Sequence, residues 1–194
     1  MKSTSIAIPV ETIDAHGDFA PAVQPLANLL LQLSDVVCRL RNAQYVQKPV
    51  GVVDSSVGGH VRHCLDHVRA LLDAIATGQL NYDDRKRGTD VEFSRIAACE
   101  EIERLLESLR ELGKDRLNRE IALSALMSAD GAPIAVRTSV GRELAYVLAH
   151  TVHHNALVSA MVKTLGGWLP ERFGYAPSTL NHERREREQT ACAR

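Results

Sequence analysis

The sequence predicts an all-α fold, a four-helix bundle with a small β-hairpin inserted before the last helix. Apolar residues recur at helical spacing in four stretches separated by Pro and Gly breaks. Two of those stretches carry histidines on or beside their apolar stripe. At 194 residues, 45% hydrophobic but only 4% aromatic, the chain can fill one core but not two.

Residues 1–21 contain Pro9 and Gly17 without periodicity and read as an extended arm. Residues 22–180 form the bundle. Pro21 and Pro25 open a first helix, in which Leu26, Leu29, Leu30, Leu33, Val37 and Leu40 carry the apolar stripe to about Tyr45. Pro49 and Gly51 break it. Asp54, Ser55 and Ser56 offer caps for a second helix that runs to Thr77 and ends at Gly78. One side of this helix holds Val57, Val61, Cys64, Val68, Leu72 and Ile75; the opposite side, Arg62, Asp66, Arg69 and Asp73, reads as solvated.

A polar connection follows, containing Tyr82, Asp83, Arg85 and Arg87, and it is long for adjacent helices. Ile96, Ile102, Leu105, Leu106, Leu109 and Leu112 define a third helix stopped by Gly113. Between residues 119 and 138 the period changes, and Asp130-Gly131 between two apolar runs is a hairpin signal, although the first run also suits a helix. The fourth helix starts near Ser139 and ends at Gly166-Gly167. A Pro/Gly-bearing coil follows, and residues 181–194 read as a charged, disordered tail.

Net charge is −1, with acids and bases interleaved, which argues against a nucleic-acid groove. No apolar run is long enough for a signal peptide or a membrane span, so a cytoplasmic protein is expected. Cys38, Cys64, Cys99 and Cys192 are scattered without a Cys-x-x-Cys pair, so they read as small buried or incidental thiols, with Cys64 the one nearest the histidines.

The chemistry of the chain lies in its eight histidines, six of which fall in two clusters. His150 and His154 are four apart, in register with Val147, Leu157 and Met161, so both face one way on the fourth helix. His60, His63 and His67 lie on the second helix, where the helical wheel turns His60 and His67 further inward than His63. Two ligands from a His-x-x-x-His turn and a third from another helix would hold a divalent ion and leave positions open for water or substrate. Taken alone, such a pair is also what partly buried or surface histidines look like.

The stretch Ser56 to His67, Asn81-Tyr-Asp-Asp-Arg-Lys-Arg-Gly, His150-Thr-Val-His153-His154 and Phe173-Gly-Tyr-Ala-Pro-Ser-Thr together resemble the DinB-like (DinB/YfiT) family of proposed metalloenzymes, over about residues 22–180. The resemblance implies a four-helix bundle, often a homodimer, with zinc or nickel on one second-helix histidine and a late histidine pair. Family spacing, seven residues after the helix-opening Ser56, points to His63; the pair maps to His150 and His154. His60 and His67 stay open as alternative ligands, and His153 as a residue outside the ligands or an exposed one.

The resemblance further implies a small-molecule substrate and a reaction of thiol-dependent transfer, the metal stabilising a low-molecular-weight thiolate, or of hydrolysis through an activated water. Arg85 and Arg87 are candidates for binding an anionic substrate, or are simply ion-paired residues at a helix end. The alternative to an enzyme is a non-catalytic bundle that binds a metal or ligand. No membrane or nucleic-acid partner is expected.

Overall fold

Pro25 stands in the first turn of α1 (Gln24–Arg39), where its missing N–H costs no hydrogen bond. The computed structural model in which this is seen describes residues 19–192. Most of the expected N-terminal arm therefore lies outside the described residues. The rest is mostly helical with a small three-stranded sheet: α2 (Asn42–Val46), α3 (Val57–Thr77), β1 (Gln79–Asn81), α4 (Asp90–Phe93), α5 (Arg95–Arg110), a 3-10 turn, β2 (Glu120–Ala125), β3 (Ile134–Ser139), α6 (Val140–Thr164) and α7 (Pro177–Cys192).

The long helices interlock in pairs. α3 packs on both α6 and α5, and α1 packs on both α5 and α6. Leu30, Leu33, Val61, Leu65, Leu71, Ile102, Leu109, Val147 and Met161 meet between them, each at most 1% exposed. The first helix ends earlier than its stripe suggests. Leu40 is extended, and α2 starts afresh with the Arg41 N–H donating to Gln44 Oε1 at 3.1 Å. The break turns Tyr45 inward, where its hydroxyl donates to the Val91 carbonyl at 2.7 Å. A continuous helix would have carried that ring away from its acceptor.

α3 begins and ends as its sequence indicates. Ser56 Oγ accepts the Gly59 N–H at 3.0 Å, and Gly78 closes the helix at φ 75°. Gly58 lets α4 lie directly on it: a Cβ there would come within 2.1 Å of the Glu92 carbonyl oxygen.

The polar side of α3 is solvated only in part: Asp73 is exposed as expected, but Asp66 and Arg62 are covered. Asp66 is buried and takes Arg62 at 2.7 Å and Arg69 at 3.0 Å; Arg62 also reaches Glu92, and Arg69 pairs with the buried Glu101. The helix is covered on two sides, by α6 over the apolar stripe and by α4 and α5 over the charges. Buried acids need such partners, since stripping one partner from a buried pair costs about 3–5 kcal/mol.

The hairpin forms from β2 and β3, joined through a turn in which the Gly131 N–H donates to the Ser128 carbonyl at 3.3 Å. The first apolar run is thus a strand. The fold is not purely helical, because β1, just after Gly78, adds parallel to β2 and completes a sheet of order β1-β2-β3. Three residues are too few to show a period.

The coil after α6 lies across that helix. Phe173 is buried, and Gly174, at φ 80°, is so close that a Cβ would sit 2.7 Å from Ala156 Cα. The charged segment beyond it is helical rather than disordered. Pro177 stands at the start of α7, Arg184–Glu188 and Arg187–Glu183 are spaced as i,i+4 pairs, and Arg172 holds Glu183 at 2.8 Å.

The cysteines bring the last departure. Cys38 of α1 and Cys99 of α5 are joined as a disulfide, Cα atoms 6.7 Å apart, rather than standing as separate thiols. They are 61 residues apart in sequence and meet only because α1 packs on α5. Cysteine usage therefore gives no argument for a reducing compartment. No helix among the described residues is long and apolar enough to cross a membrane.

Closing a loop of that length removes up to about 4 kcal/mol of unfolded-state entropy. Reduction, or Cys99→Ser, should accordingly lower Tm while leaving the helical circular dichroism intact. An unchanged Tm after complete reduction, verified by thiol alkylation and mass spectrometry, would contradict this.

Candidate metal centre

The packing of α3 on α6 sets two histidine faces against each other. His63 from α3 and His150 and His154 from α6 each offer a ring nitrogen, and these three atoms lie within 4.8 Å of one another. His63 Nε2 and His150 Nε2 are 3.2 Å apart. A tetrahedral ion with metal–nitrogen bonds of about 2.0–2.1 Å spaces its ligand atoms by roughly 3.3 Å. His150 and His63 are half-buried and His154 is buried.

The other two second-helix histidines adjoin the group, each engaged elsewhere. His67 is 4% exposed, and its Nδ1 lies 2.9 Å from the His63 carbonyl, so Nδ1 carries the proton and donates. Its ring stacks on that of His150, centroids 3.9 Å apart. His60 Nδ1 lies 3.0 Å from His154 Nδ1. The arrangement in which His154 donates leaves its Nε2 lone pair free and puts the proton of His60 on Nε2, a buried atom with no partner among the described residues. His153 is exposed, with its ring edge-on to His154.

Cys64 stays out of the group. It is buried, its thiol donates to Thr151 Oγ1, and burial pushes it up to about 11, so it remains a thiol.

Arg85 of the connection after β1 reaches the cluster, its guanidinium on His63 Nδ1, whereas Arg87 is exposed. That connection is pinned at several points. Asn81 Oδ1 accepts the Asp83 N–H at 2.8 Å, and Asp83 Oδ2 accepts the Leu126 N–H at 2.9 Å. Tyr82 donates its hydroxyl to Glu143 at 3.0 Å and stacks its ring on His67, centroids 4.9 Å apart. In the sequence, Tyr82 belongs to a helix-end connection, and neither Glu143 nor Tyr146 stands out by type or motif. Glu143 sits seven residues before His150, on the face it shares with Val147, and that spacing was the signal available.

The imidazoles are held neutral. Burial is the main cause, reinforced by the neighbouring rings and, for His63 and His150, by Arg85; it lowers His63 to about 2, His154 to about 3 and His150 to about 4. His60 and His67 are lowered too, chiefly by burial. Three convergent imidazoles held neutral each keep one ring lone pair, the form in which histidine binds a divalent cation.

Mostly helical, with a small sheet and convergent histidines between two long helices, the molecule is compatible with a metal-binding helical protein. It belongs to the DinB superfamily, whose family model matches residues 26–158. A crystal structure of a DinB-like protein from Bacillus subtilis superposes with a TM-score of 0.60 over 81% of this chain and all of that one, at 19% identity, a likeness of fold alone. FK506-binding protein 5 of Rhizopus delemar is 39% identical over 108 residues, 55% of this chain. The chain covers only 28% of that relative's length.

Because the folded values lie below the ordinary 6.5, the unfolded chain takes up protons first as pH falls. Stability from these groups is complete above about 6.5 and is lost as pH drops toward their folded values. In chelator, Tm should fall between pH 6.5 and 4, and less steeply in His150→Asn. Equal slopes for the two proteins would show that His150 is not depressed in the fold.

Proposed function

We propose that the chain is a four-helix bundle of α1, α3, α5 and α6 that binds a divalent metal ion, zinc or nickel, through His63, His150 and His154. We further propose that it is an enzyme acting on a small molecule, by thiol-dependent transfer or by hydrolysis. The observation that carries this reading is the set of three ring nitrogens within 4.8 Å, supplied by two different helices. Membership of the DinB superfamily supports it. Three neutral imidazoles leave a dication its full charge, which would stabilise a bound thiolate or activate a water.

The chain's own residues supply the rest. His60 orients His154 through the Nδ1 contact, and His153, being exposed, is kept from the ligand set. Arg85 is the cation placed to pair with a carboxylate of the substrate or thiol; Arg87, exposed and without a contact to the histidines, is not. In this reading the protein is a cytoplasmic homodimer with no membrane or nucleic-acid partner. The second reading, a non-catalytic bundle in which the ion clips helices together, draws on the same fact that the ligands come from both α3 and α6.

Metal analysis of the purified protein should find close to one equivalent of zinc or nickel. His150→Ala should lose it while keeping its helical content, and retained stoichiometry would remove His150 from the ligands. Collapse of the fold on metal removal would instead favour the structural clip.

A screen of electrophiles against several cellular thiols addresses the reaction. With any acidic substrate so found, Arg85→Gln should raise KM by ~10-fold or more, the loss of one hydrogen bond to a charged group, and Arg87→Gln should leave it unchanged. The opposite ranking would move the anion site to Arg87.

A further inference from the structure

Glu143 is the most deeply buried acid in the described residues, with no exposed surface, and it is not engaged in packing the helices by charge as Asp66 and Glu101 are. Its carboxylate gathers three donors: Thr138 Oγ1 at 2.7 Å, Arg142 Nη1 at 2.8 Å and the Tyr82 hydroxyl at 3.0 Å. These come from β3, from α6 and from the connection after β1, so one carboxylate ties the sheet end and that connection to the helix bearing His150 and His154. Tyr82 does not merely complete this bond. Its ring lies nearly parallel to that of His67, at 12°, and His67 also stacks on His150, at 24°.

We propose that Glu143 and Tyr82 are positioning residues for the metal centre: Glu143 fixes the Tyr82 ring, Tyr82 fixes His67, and His67 holds the His150 imidazole at the angle required for ligation. The proposal rests on the metal reading above and adds a residue set to it. An imidazole ligand has two free torsions, and a ring whose nitrogen can swing by an ångström binds an ion poorly. Groups outside the ligands that fix such a ring typically change metal affinity 10- to 100-fold.

The Nδ1 bond to the His63 carbonyl restrains the His67 ring at one point, and the Tyr82 stack restrains its face. Tyr146 flanks the same rings, 5.1 Å from Tyr82 and 5.8 Å from His150 between centroids.

The experiment uses Co2+ as probe, read by its visible spectrum and by competition with a chelator, in the full chain and in Tyr82→Phe, Tyr82→Leu and Glu143→Gln. Circular dichroism at the same temperature confirms that each variant is folded. Tyr82→Leu, which loses both ring and hydroxyl, should bind Co2+ ~10-fold or more weakly with an altered visible band. Tyr82→Phe and Glu143→Gln, which keep the rings but weaken the anchor, should fall between it and the unmodified protein.

A purely structural role would lower Tm without moving the spectrum of the folded protein. Should Tyr82→Leu fold and bind Co2+ with unchanged affinity and spectrum, the positioning role is refuted and the three-histidine site stands. Should Tyr82→Leu not fold, the decision passes to Tyr82→Phe and Glu143→Gln, whose unchanged affinity and spectrum would refute it equally. Absence of Co2+ binding by the unmodified chain would overturn the metal reading and this inference with it.

Discussion

The contact of α3 with α6 is the constraint on which the rest of this structure depends. Each helix alone carries a stripe of histidines that would be unremarkable on a surface. Face to face they place five imidazoles together, where burial above all disfavours the charged form of each. The packing thus sets the protonation state of the cluster before any ligand is considered. Val61, Leu65, Val147 and Met161, closed around the same contact, supply the hydrophobic gain that holds mutually unfavourable polar groups in place.

The other side of α3 shows how the helix can be surrounded so completely. A helix buried on its histidine side and exposed on its charged side would have been free to tilt. Instead, Arg62 and Arg69 are shared between Asp66 and the glutamates of α4 and α5, so both flanks are fixed. Because Asp66 pairs with Arg62 and Arg69, and Glu101 with Arg69 and Arg104, the network has directional demands that hydrophobic packing lacks. The rotation of α3 about its axis, which decides which histidines face α6, is set as much by these ion pairs as by its apolar residues.

Much of this was legible in the sequence, and the illegible parts share a cause. The termini of α3 follow from Ser56 and Gly78, and the late histidine pair from its spacing. The DinB resemblance carried the choice of His63, which helical geometry alone ranked below His60 and His67. What stayed hidden depends on a second element. Asp66 looks solvated until α5 covers it; Cys38 and Cys99 look unrelated until α1 meets α5; β1 is a strand only because β2 lies beside it. Glu143 could have been read from its seven-residue offset to His150, but its partners come from a strand and a connection that periodicity does not place.

The three histidines of α3 differ in what each ring nitrogen meets. An imidazole that binds a metal through one nitrogen must be free of a proton there, and the other nitrogen then carries the proton and seeks an acceptor. His67 donates its Nδ1–H to a backbone carbonyl one turn back, which leaves its Nε2 lone pair free, and its ring stacks on those of Tyr82 and His150. His60 faces His154 through the very nitrogen at which His154 must donate if its own Nε2 is to be free. Only His63 lies between both members of the late pair, 3.2 Å from one and with its ring centroid 4.6 Å from the other. The wheel ranks depth in the core, and His67 is the most buried of the three as it expects, whereas the grouping of His63 with His150 and His154 depends on where α6 lies. Depth suits the residues that orient ligands, and the two more inward histidines lie beside the group rather than within it.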